Sequence, residues 1–335
     1  MSLILAIESS CDETAIAIID EKHKLLANVV SSQIDTHQMY GGVVPEIASR
    51  LHVENISVVI EEALQKSGID LKDVDAFAVT KGPGLVGSLH VGLQAAKTLS
   101  LAYRKPLIGV HHIAGHIYAN RLVGEMVYPC LALVVSGGHT ELVYMPSPMK
   151  FEVIGTTYDD AVGEANDKVA RVMGLPYPGG PIIDRMAKTG EHTYPLPKPL
   201  NDDTFNFSFS GLKSAVINLV HNTKQRGEEI VPENLARSFQ DVVVDVLVEK
   251  TIHAAKAYQV KQIVLAGGVA ANSQLRAVLT EMVAQQLPKV ALTIPPLWCC
   301  TDNAAMIASA ALEMYALNQF EDLSLSCKPM IDLEG

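Results

Sequence analysis

Hydrophobic positions in this chain come in blocks, and two of the blocks share a layout. In LILAIESSCDETAIAII (3–19) an apolar run, a short polar turn and a second apolar run follow one another; CLALVVSGGHTELVYM (130–145) does the same far downstream. Apolar runs this continuous predict strands covered on both faces, and each pair, joined by small polar residues, predicts a hairpin. Two hairpins of one design predict a two-lobed chain with a phosphate loop on each lobe. Elsewhere the period changes. Residues 43–66 carry helical spacing, with Pro45 near the start and Gly68 just past the end. Further helices are predicted over 87–103, 111–122, 163–174, 181–189, 208–222 and 232–258, from about 271, and from 302. VDAFAVT (74–80), LIGV (107–110), KQIVLAG (261–267) and ALTI (291–294) read as strands, KGPGLVGS (81–88) as a glycine-rich loop, and the polar, proline-rich stretch 190–206 as an exposed loop. Strands alternating with helices predict mostly parallel sheets whose ligands lie beyond the carboxyl ends of the strands.

Composition narrows the class. With 335 residues, 48% hydrophobic and 19% charged, the chain is long enough for two cores and too apolar to be disordered. Only 5% is aromatic, so those cores are built from Ala, Val, Ile and Leu. No uncharged apolar stretch has the length of a membrane span. The apolar start lacks a basic region and is interrupted by Glu8, Asp12 and Glu13, so it reads as a strand pair and not a signal peptide. Five cysteines without Cys-x-x-Cys spacing point away from a thiolate zinc site and towards a reducing compartment, so a cytoplasmic location is expected. The net charge of −11 gives no overall field attracting nucleic acid. A polyanionic substrate would need a local patch, such as the slightly basic window 168–237, or a partner's cations.

Five constellations carry candidate chemistry. SSCDET (9–14) and SGGHT (136–140) place small residues between strands, where backbone N–H groups approach an anion closely; Asp12 and Glu13 in the first are placed to orient water, a cation or a phosphoryl group. Either turn alone reads more readily as an ordinary hairpin turn, because Gly and Ser are routine turn residues; the pair together favours a nucleotide cleft. LAGGVAANSQL (265–275) ends a strand on a double glycine and begins a helix, a place for an anionic or polar ligand, yet it matches neither the P-loop nor a full dinucleotide fingerprint. In HHIAGH (111–116), His112 and His116 are spaced i, i+4 and present both imidazoles on one helix face, as two metal ligands would be. Asp302 in CTDNAAMIA (300–308) is either the N-cap of an apolar helix or a third metal ligand, and the pattern does not choose. YPGGPIID (177–184), after DDAVGEANDKVARVMG (159–174), offers Asp184 to the hydroxyls of a ribose, or is a Pro/Gly loop beside a solvated helix.

In this order, ESSCDET, GGVVPEIASRLH (41–52), TKGPGLVGSL (80–89), HHIAGH, SGGHTEL, DDAVGEANDKVAR, YPGGP, FSFSGLKSA (207–215), LAGGVAANSQLR and CTDNAAMIA resemble the tRNA threonylcarbamoyladenosine-forming transferases of the bacterial TsaD type, from about residue 3 to about 315. The resemblance implies an α/β fold of the actin/Hsp70/sugar-kinase (ASKHA) type. It has two lobes, duplicated mixed sheets and a central cleft, with residues 1–110 and about 303–335 in one lobe and about 111–302 in the other. It implies transfer of threonylcarbamoyl from threonylcarbamoyl-AMP to N6 of adenosine 37, just 3′ of the anticodon, in tRNAs reading codons that start with A. The products are N6-threonylcarbamoyladenosine and AMP.

Carried over to this chain, the resemblance makes His112, His116 and Asp302 the ligands of one Fe2+ or Zn2+ ion. It makes Val135, Ser136, Gly137, Gly138, His139, Asp167, Gly180, Asp184 and Asn272 substrate-binding positions, and Asp12 and Glu13 candidate catalytic residues. Implied with them are a bound adenine nucleotide and, as partners, tRNA, a paralogous subunit of the same fold and a small ATPase (TsaB- and TsaE-like), with no membrane. Relatives often carry Glu between the two histidines; here Ala114 stands there, which keeps the ligand spacing and removes that carboxylate. Alternative expectations are a metallopeptidase, disfavoured by the missing H-E-x-x-H glutamate, and a small-molecule kinase of the same fold. A non-catalytic scaffold would have no need of the ligand-type residues.

Overall fold

The computed structural model describes residues 2–200 and 202–334. The chain divides into two compact units, Met1–Met126 with Pro148–Lys150 and Pro295–Gly335, and Val127–Ser147 with Phe151–Ile294. These bounds differ from the 110 and 303 of the sequence reading, and the difference puts His112, His116 and Asp302 in one unit.

In the first unit β1 (Leu3–Glu8), β2 (Glu13–Asp20) and β3 (Leu25–Ser32) form an antiparallel meander. Then come α1 (Ile34–Gln38), α2 (Pro45–Ser67), β4 (Ala76–Gly82), α3 (Val86–Tyr103), β5 (Leu107–His111) and α4 (His112–Tyr118), which runs into a 3-10 turn at Ala119–Leu122. The sheet order is β3-β2-β1-β4-β5, with β1, β4 and β5 parallel. Every residue of β1 and β2 is buried, as their unbroken apolar runs require. On one face Leu5, Ile7, Ile16, Ile18, Phe77 and Val79 pack against α2 and α3. Each fully buried Leu, Ile or Phe there contributes about 1.5–3 kcal/mol. The alternate positions, Ile4, Ala6, Ala15 and Ala17, point to the opposite face and are buried as well.

The second unit repeats the plan. It contains β6 (Cys130–Val135), β7 (Thr140–Met145), β8 (Glu152–Thr156), α5 (Val162–Val172), α6 (Gly179–Ala187), α7 (Ser210–Gln225), α8 (Pro232–Ala257), β9 (Gln262–Ala266), α9 (Ser273–Gln286) and β10 (Ala291–Thr293). Its order, β10-β9-β6-β7-β8, matches the first sheet strand for strand, with β6–β7–β8 antiparallel and β6–β9–β10 parallel. The chain then returns to the first unit as α10 (Ala304–Ala316), whose Ala-rich surface packs on β1, β2, β4 and α4 and covers the face that α2 and α3 leave.

Two strands and one α-helix lie where none was predicted: β3, β8 and α1. Both strands are edges with half-exposed residues, so they carry no apolar run. The helix expected from 271 begins at Ser273, after a 3-10 turn at Gly268–Ala271, with the Asn272 side chain as its cap. The helix expected from 302 begins at Ala304, and its cap is Asn303, whose Oδ1 accepts the N–H of Met306 at 3.1 Å. Asp302 is therefore not the capping residue. Among the described residues, 190–206 carries no helix or strand. Among the described residues no helix is long and apolar enough to cross a membrane.

Candidate functional site

Strand β1 ends on Glu8 and β5 on His111, so the carboxyl ends of the parallel strands gather side chains from the 9–14 turn and from α4. His112 and His116, one helical turn apart, meet edge to face with ring centroids 4.7 Å apart. Asp302 Oδ1 lies 3.5 Å from His112 Nε2 and 3.1 Å from His116 Nε2. One donor atom from each of the three residues falls within 4.8 Å of the others. Two imidazoles and a carboxylate converging in this way form a donor set suited to a divalent ion such as zinc or iron. The first histidine of the motif does something else. His111 Nδ1 accepts the N–H of Ile113 and caps α4, while Nε2 donates to the carbonyl of Ile331; burial depresses its pKa to about 4 and keeps it neutral.

A carboxylate stands behind His112, and it comes from β1. Glu8, fully buried, places Oε2 3.3 Å from His112 Nδ1, accepts the Thr80 hydroxyl at 2.6 Å, and accepts the Ser10 N–H through Oε1. A proton on Nδ1 shared with Glu8 leaves Nε2 as the nitrogen directed at Asp302. His116 Nδ1 makes no hydrogen bond among the described residues, so packing and the Nε2 contact with Asp302 hold that ring. Charge around these imidazoles is predominantly negative. Burial opposes a proton on His112, but Asp302 and Glu8 hold it up to about 9. Burial, reinforced by Asp302 and Asp12, pushes the Glu13 carboxyl well above the usual range. A bound divalent cation would relieve both strains. Glu8→Gln is expected to weaken zinc binding by about 10- to 100-fold with the fold retained. Competition against a chelating dye measures it, and unchanged affinity would remove Glu8 from the site.

The turn bearing Asp12 and Glu13 is braced from behind. His52 of α2 is fully buried; its Nε2 meets the carbonyl of Cys11 at 2.9 Å and its Nδ1 the Thr14 hydroxyl at 2.7 Å. Donation to the carbonyl fixes the tautomer, so Thr14 is the donor to Nδ1. Burial lowers the pKa of His52. On the other side Leu85 N–H donates to Ser10 O at 2.7 Å, and a side chain at Gly84 would come within 2.6 Å of that oxygen. Two of the motifs, GGVVPEIASRLH and TKGPGLVGSL, thus hold a third in shape. Asp12 and Glu13 themselves are nearly buried, and the Ser32 hydroxyl reaches Glu13 Oε1 at 3.3 Å.

In the second unit a pocket of about 260 Å³ opens where β6 and β9 end. Of the residues singled out in the sequence, Gly137, Asp167, Gly180, Asp184 and Asn272 line it. Val135 is buried within β6, and Ser136, Gly138 and His139 shape the turn without lining the cavity. That turn is closed by Ser136 N–H to His139 O and by His139 N–H to Ser136 Oγ. Asp167 accepts the N–H of Gly179 at 2.7 Å and so fixes the start of α6; burial, which outweighs the Gly179 and Gly180 N–H groups, raises its pKa. Nearby, Asp159 accepts from Ser208 Oγ, Ser210 Oγ and the N–H groups of Phe209 and Ser210, while Asp160 pairs with Lys168 and Lys213. The DDAVGEANDK and FSFSGLK motifs are two halves of one clamp.

Glu8, His52 and the buried Gln240 were not singled out in the sequence. Glu8 had one signal, a carboxylate at the end of a strongly apolar run; Gln240, between Phe239 and Asp241, had none.

The duplicated β3-β2-β1-β4-β5 sheets with helices on both faces define the chain as a member of the actin/Hsp70/sugar-kinase class. Solved structures agree on the fold. The chain superimposes on full-length HypF in its phosphate- and nucleotide-bound form with a TM-score of 0.63, at 15% identity over 96% of this chain and 56% of that one. On component A of the Acidaminococcus fermentans (R)-2-hydroxyglutaryl-CoA dehydratase the TM-score is 0.54, at 13% identity over 94% and 98%. Sequence decides the family. Residues 24–309 match the TsaD model, described as tRNA N6-adenosine threonylcarbamoyltransferase. Proteins of that name from Bacillus cereus (strain ATCC 14579) and Bacillus subtilis (strain 168) are similar. The first is 60% identical over 100% of this chain and 97% of its own length; the second is 64% identical over 92% and 89%. The chain belongs to the tRNA N6-adenosine threonylcarbamoyltransferase family.

Proposed function

We propose that the chain transfers the threonylcarbamoyl group of threonylcarbamoyl-AMP to N6 of adenosine 37 in tRNAs that read codons starting with A. Full-length identity to the named transferases carries this reading, supported by the His112–His116–Asp302 convergence. The comparisons favour neither a peptidase nor a small-molecule kinase.

In the reaction the N6 amine attacks the carbamoyl carbon and a C–N bond forms. The bond from that carbon to the phosphate oxygen breaks, AMP leaves with the electron pair, and the amine gives up one proton. Asp184 and Asn272 hold the adenosine part of the adenylate, with Gly137 and Gly180 lining the same pocket. In the 135–139 turn the N–H groups of Gly137 and Gly138, which the turn's own closing bonds do not use, are offered to the phosphate. His112, His116 and Asp302 would hold an iron or zinc ion, which when bound would supply Lewis-acid polarisation of an oxygen. Asp12 and Glu13 are placed to orient the ion's surroundings and to take up the amine proton. An amine on a purine is a weak nucleophile, so orientation supplies much of the rate. The −11 charge fits a division of labour, in which tRNA docking is shared with a paralogous subunit and a small ATPase in the cytoplasm.

Depleting the protein in its host and analysing digested tRNA by mass spectrometry tests the reading. Threonylcarbamoyladenosine should disappear and return with the intact chain. An unchanged level would overturn the assignment.

A further inference from the structure

Helix α8 is buried along most of its length, and one of its buried side chains is an amide. Gln240 is 4% exposed, between Phe239 and Asp241 on a helix whose buried residues include Val242, Val243 and Val244. Burying an amide costs several kcal/mol unless its hydrogen bonds are made. Here three are made. Nε2 donates to Asp184 Oδ1 at 3.2 Å and to Gln274 Oε1 at 2.9 Å; Oε1 accepts Asn272 Nδ2 at 2.8 Å. Both Asp184 and Asn272 line the pocket, and Gln240 does not.

The direction of these bonds is determined from both ends. Gln274 Nε2 donates to Asp241 Oδ1, which leaves Gln274 Oε1 as an acceptor for Gln240. Asn272 Oδ1 accepts the Leu275 N–H at 2.9 Å as the cap of α9, which leaves Asn272 Nδ2 as the donor to Gln240. Asp184 Oδ1 also takes the Ser273 N–H at 3.2 Å and the Ser273 hydroxyl at 2.9 Å. With Oδ1 engaged by three donors, Asp184 keeps Oδ2 for a ligand; its other neighbour there is Lys188 Nζ, 3.7 Å away on an exposed side chain. With one amide proton given to Gln240, Asn272 keeps the second. The cavity wall therefore presents an acceptor at 184 and a donor at 272.

The geometry points to Gln240 as the positioning residue that sets this polarity and makes the pocket select a ribosyl over a deoxyribosyl adenine nucleotide. The ribose hydroxyl donates to Asp184 Oδ2, and an acceptor on the same nucleotide meets Asn272 Nδ2. The inference rests on the proposed nucleotide reading of this pocket. Replacing Gln240 with Glu keeps the shape but removes the donor facing Asp184 and sets two carboxylates against each other, so Asp184 turns away from its place. Replacing it with Met removes every bond at similar volume.

Calorimetric titration of the purified chain with ADP, 2′-deoxy-ADP and 3′-deoxy-ADP tests this, with thermal melting of each variant alongside. The unaltered chain should prefer ADP to at least one deoxy analogue by about 10- to 100-fold, as expected for a hydrogen bond to a charged group. In Gln240→Glu the preference should fall to about threefold or less, through loss of ADP affinity more than of deoxy-ADP affinity. Gln240→Met carries the same expectation if the Glu variant does not fold. A merely structural role would weaken all three nucleotides alike, so an unchanged preference ratio in a folded variant overturns the inference, as does an unaltered chain with no preference. An unaltered chain that binds no adenine nucleotide, yet restores the tRNA modification in a depleted host, overturns the pocket's nucleotide reading and this inference with it. The transferase reading would survive that result.

Discussion

His112→Ala and Asp302→Ala should each lose divalent-metal binding and reduce threonylcarbamoyl transfer by at least about 100-fold. Removing a partner behind a ligand typically costs 10- to 100-fold, and removing the ligand itself costs no less. Asp302 Oδ1 is the atom common to both histidine contacts, so its loss leaves two imidazoles with no carboxylate between them. The two substitutions differ in their side effects. His112→Ala also strands Glu8, which keeps its bonds to Thr80 and Ser10 but loses its partner charge in a fully buried place. The His112 variant should therefore melt below the Asp302 variant. Metal content by atomic spectroscopy, single-turnover transfer and melting curves measure the three effects. Full transfer by either metal-free variant would remove the centre from the reaction.

Gly267→Ala should damage the second unit through both backbone strain and steric overlap. Gly267 sits at φ +93°, where an L side chain is strained, and its added Cβ would lie 2.4 Å from the carbonyl oxygen of Val135. That contact is with backbone at the carboxyl end of the β6–β9 pair, just past the Val134–Ala266 register pair, and a carbonyl cannot give way as a flexible side chain would. Strain and overlap together should cost about 3 kcal/mol or more, which lowers the melting temperature of a domain this size by roughly 6–12 °C. The damage falls at the 135–139 turn, so nucleotide affinity should drop with stability. A variant that melts like the parent would show that β9 and β6 can separate more freely than their register implies.

Much of this was legible in the sequence because the two sheets are buried on both faces. β1, β2 and β6 are buried along their whole length and β7 along most of its own, and a largely apolar run broken by SSCDET or SGGHT reads as a hairpin without further help. The edge strands β3 and β8 escaped for the converse reason: half-exposed residues leave no run to find. His112 and His116 showed themselves through local spacing. Asp302 stayed ambiguous because the residue beside it, Asn303, caps helices equally well, and only three-dimensional placement tells which of the two does so. Glu8 and Gln240 were out of reach for another reason. Their partners are His112, Asp184 and Asn272, far along the chain, and a hydrogen bond across such a separation leaves no periodic trace.

The return of α10 to the first sheet sets an order of events on the ribosome. β1 to β5 are synthesised first, yet one face of their sheet stays uncovered until α10 has left the exit tunnel. The second unit, contiguous apart from Pro148–Lys150, has all its strands before then. The half of the protein translated first is thus the half finished last. Its two histidines wait for Asp302, which at about 5–20 residues per second arrives roughly 10–40 s after His116. During that interval the nascent chain exposes an apolar strand face that only its own distant end can cover. The demand for trigger-factor-like protection falls on the amino-terminal half, and a carboxyl-terminal truncation before α10 yields an aggregating chain in place of a shorter enzyme.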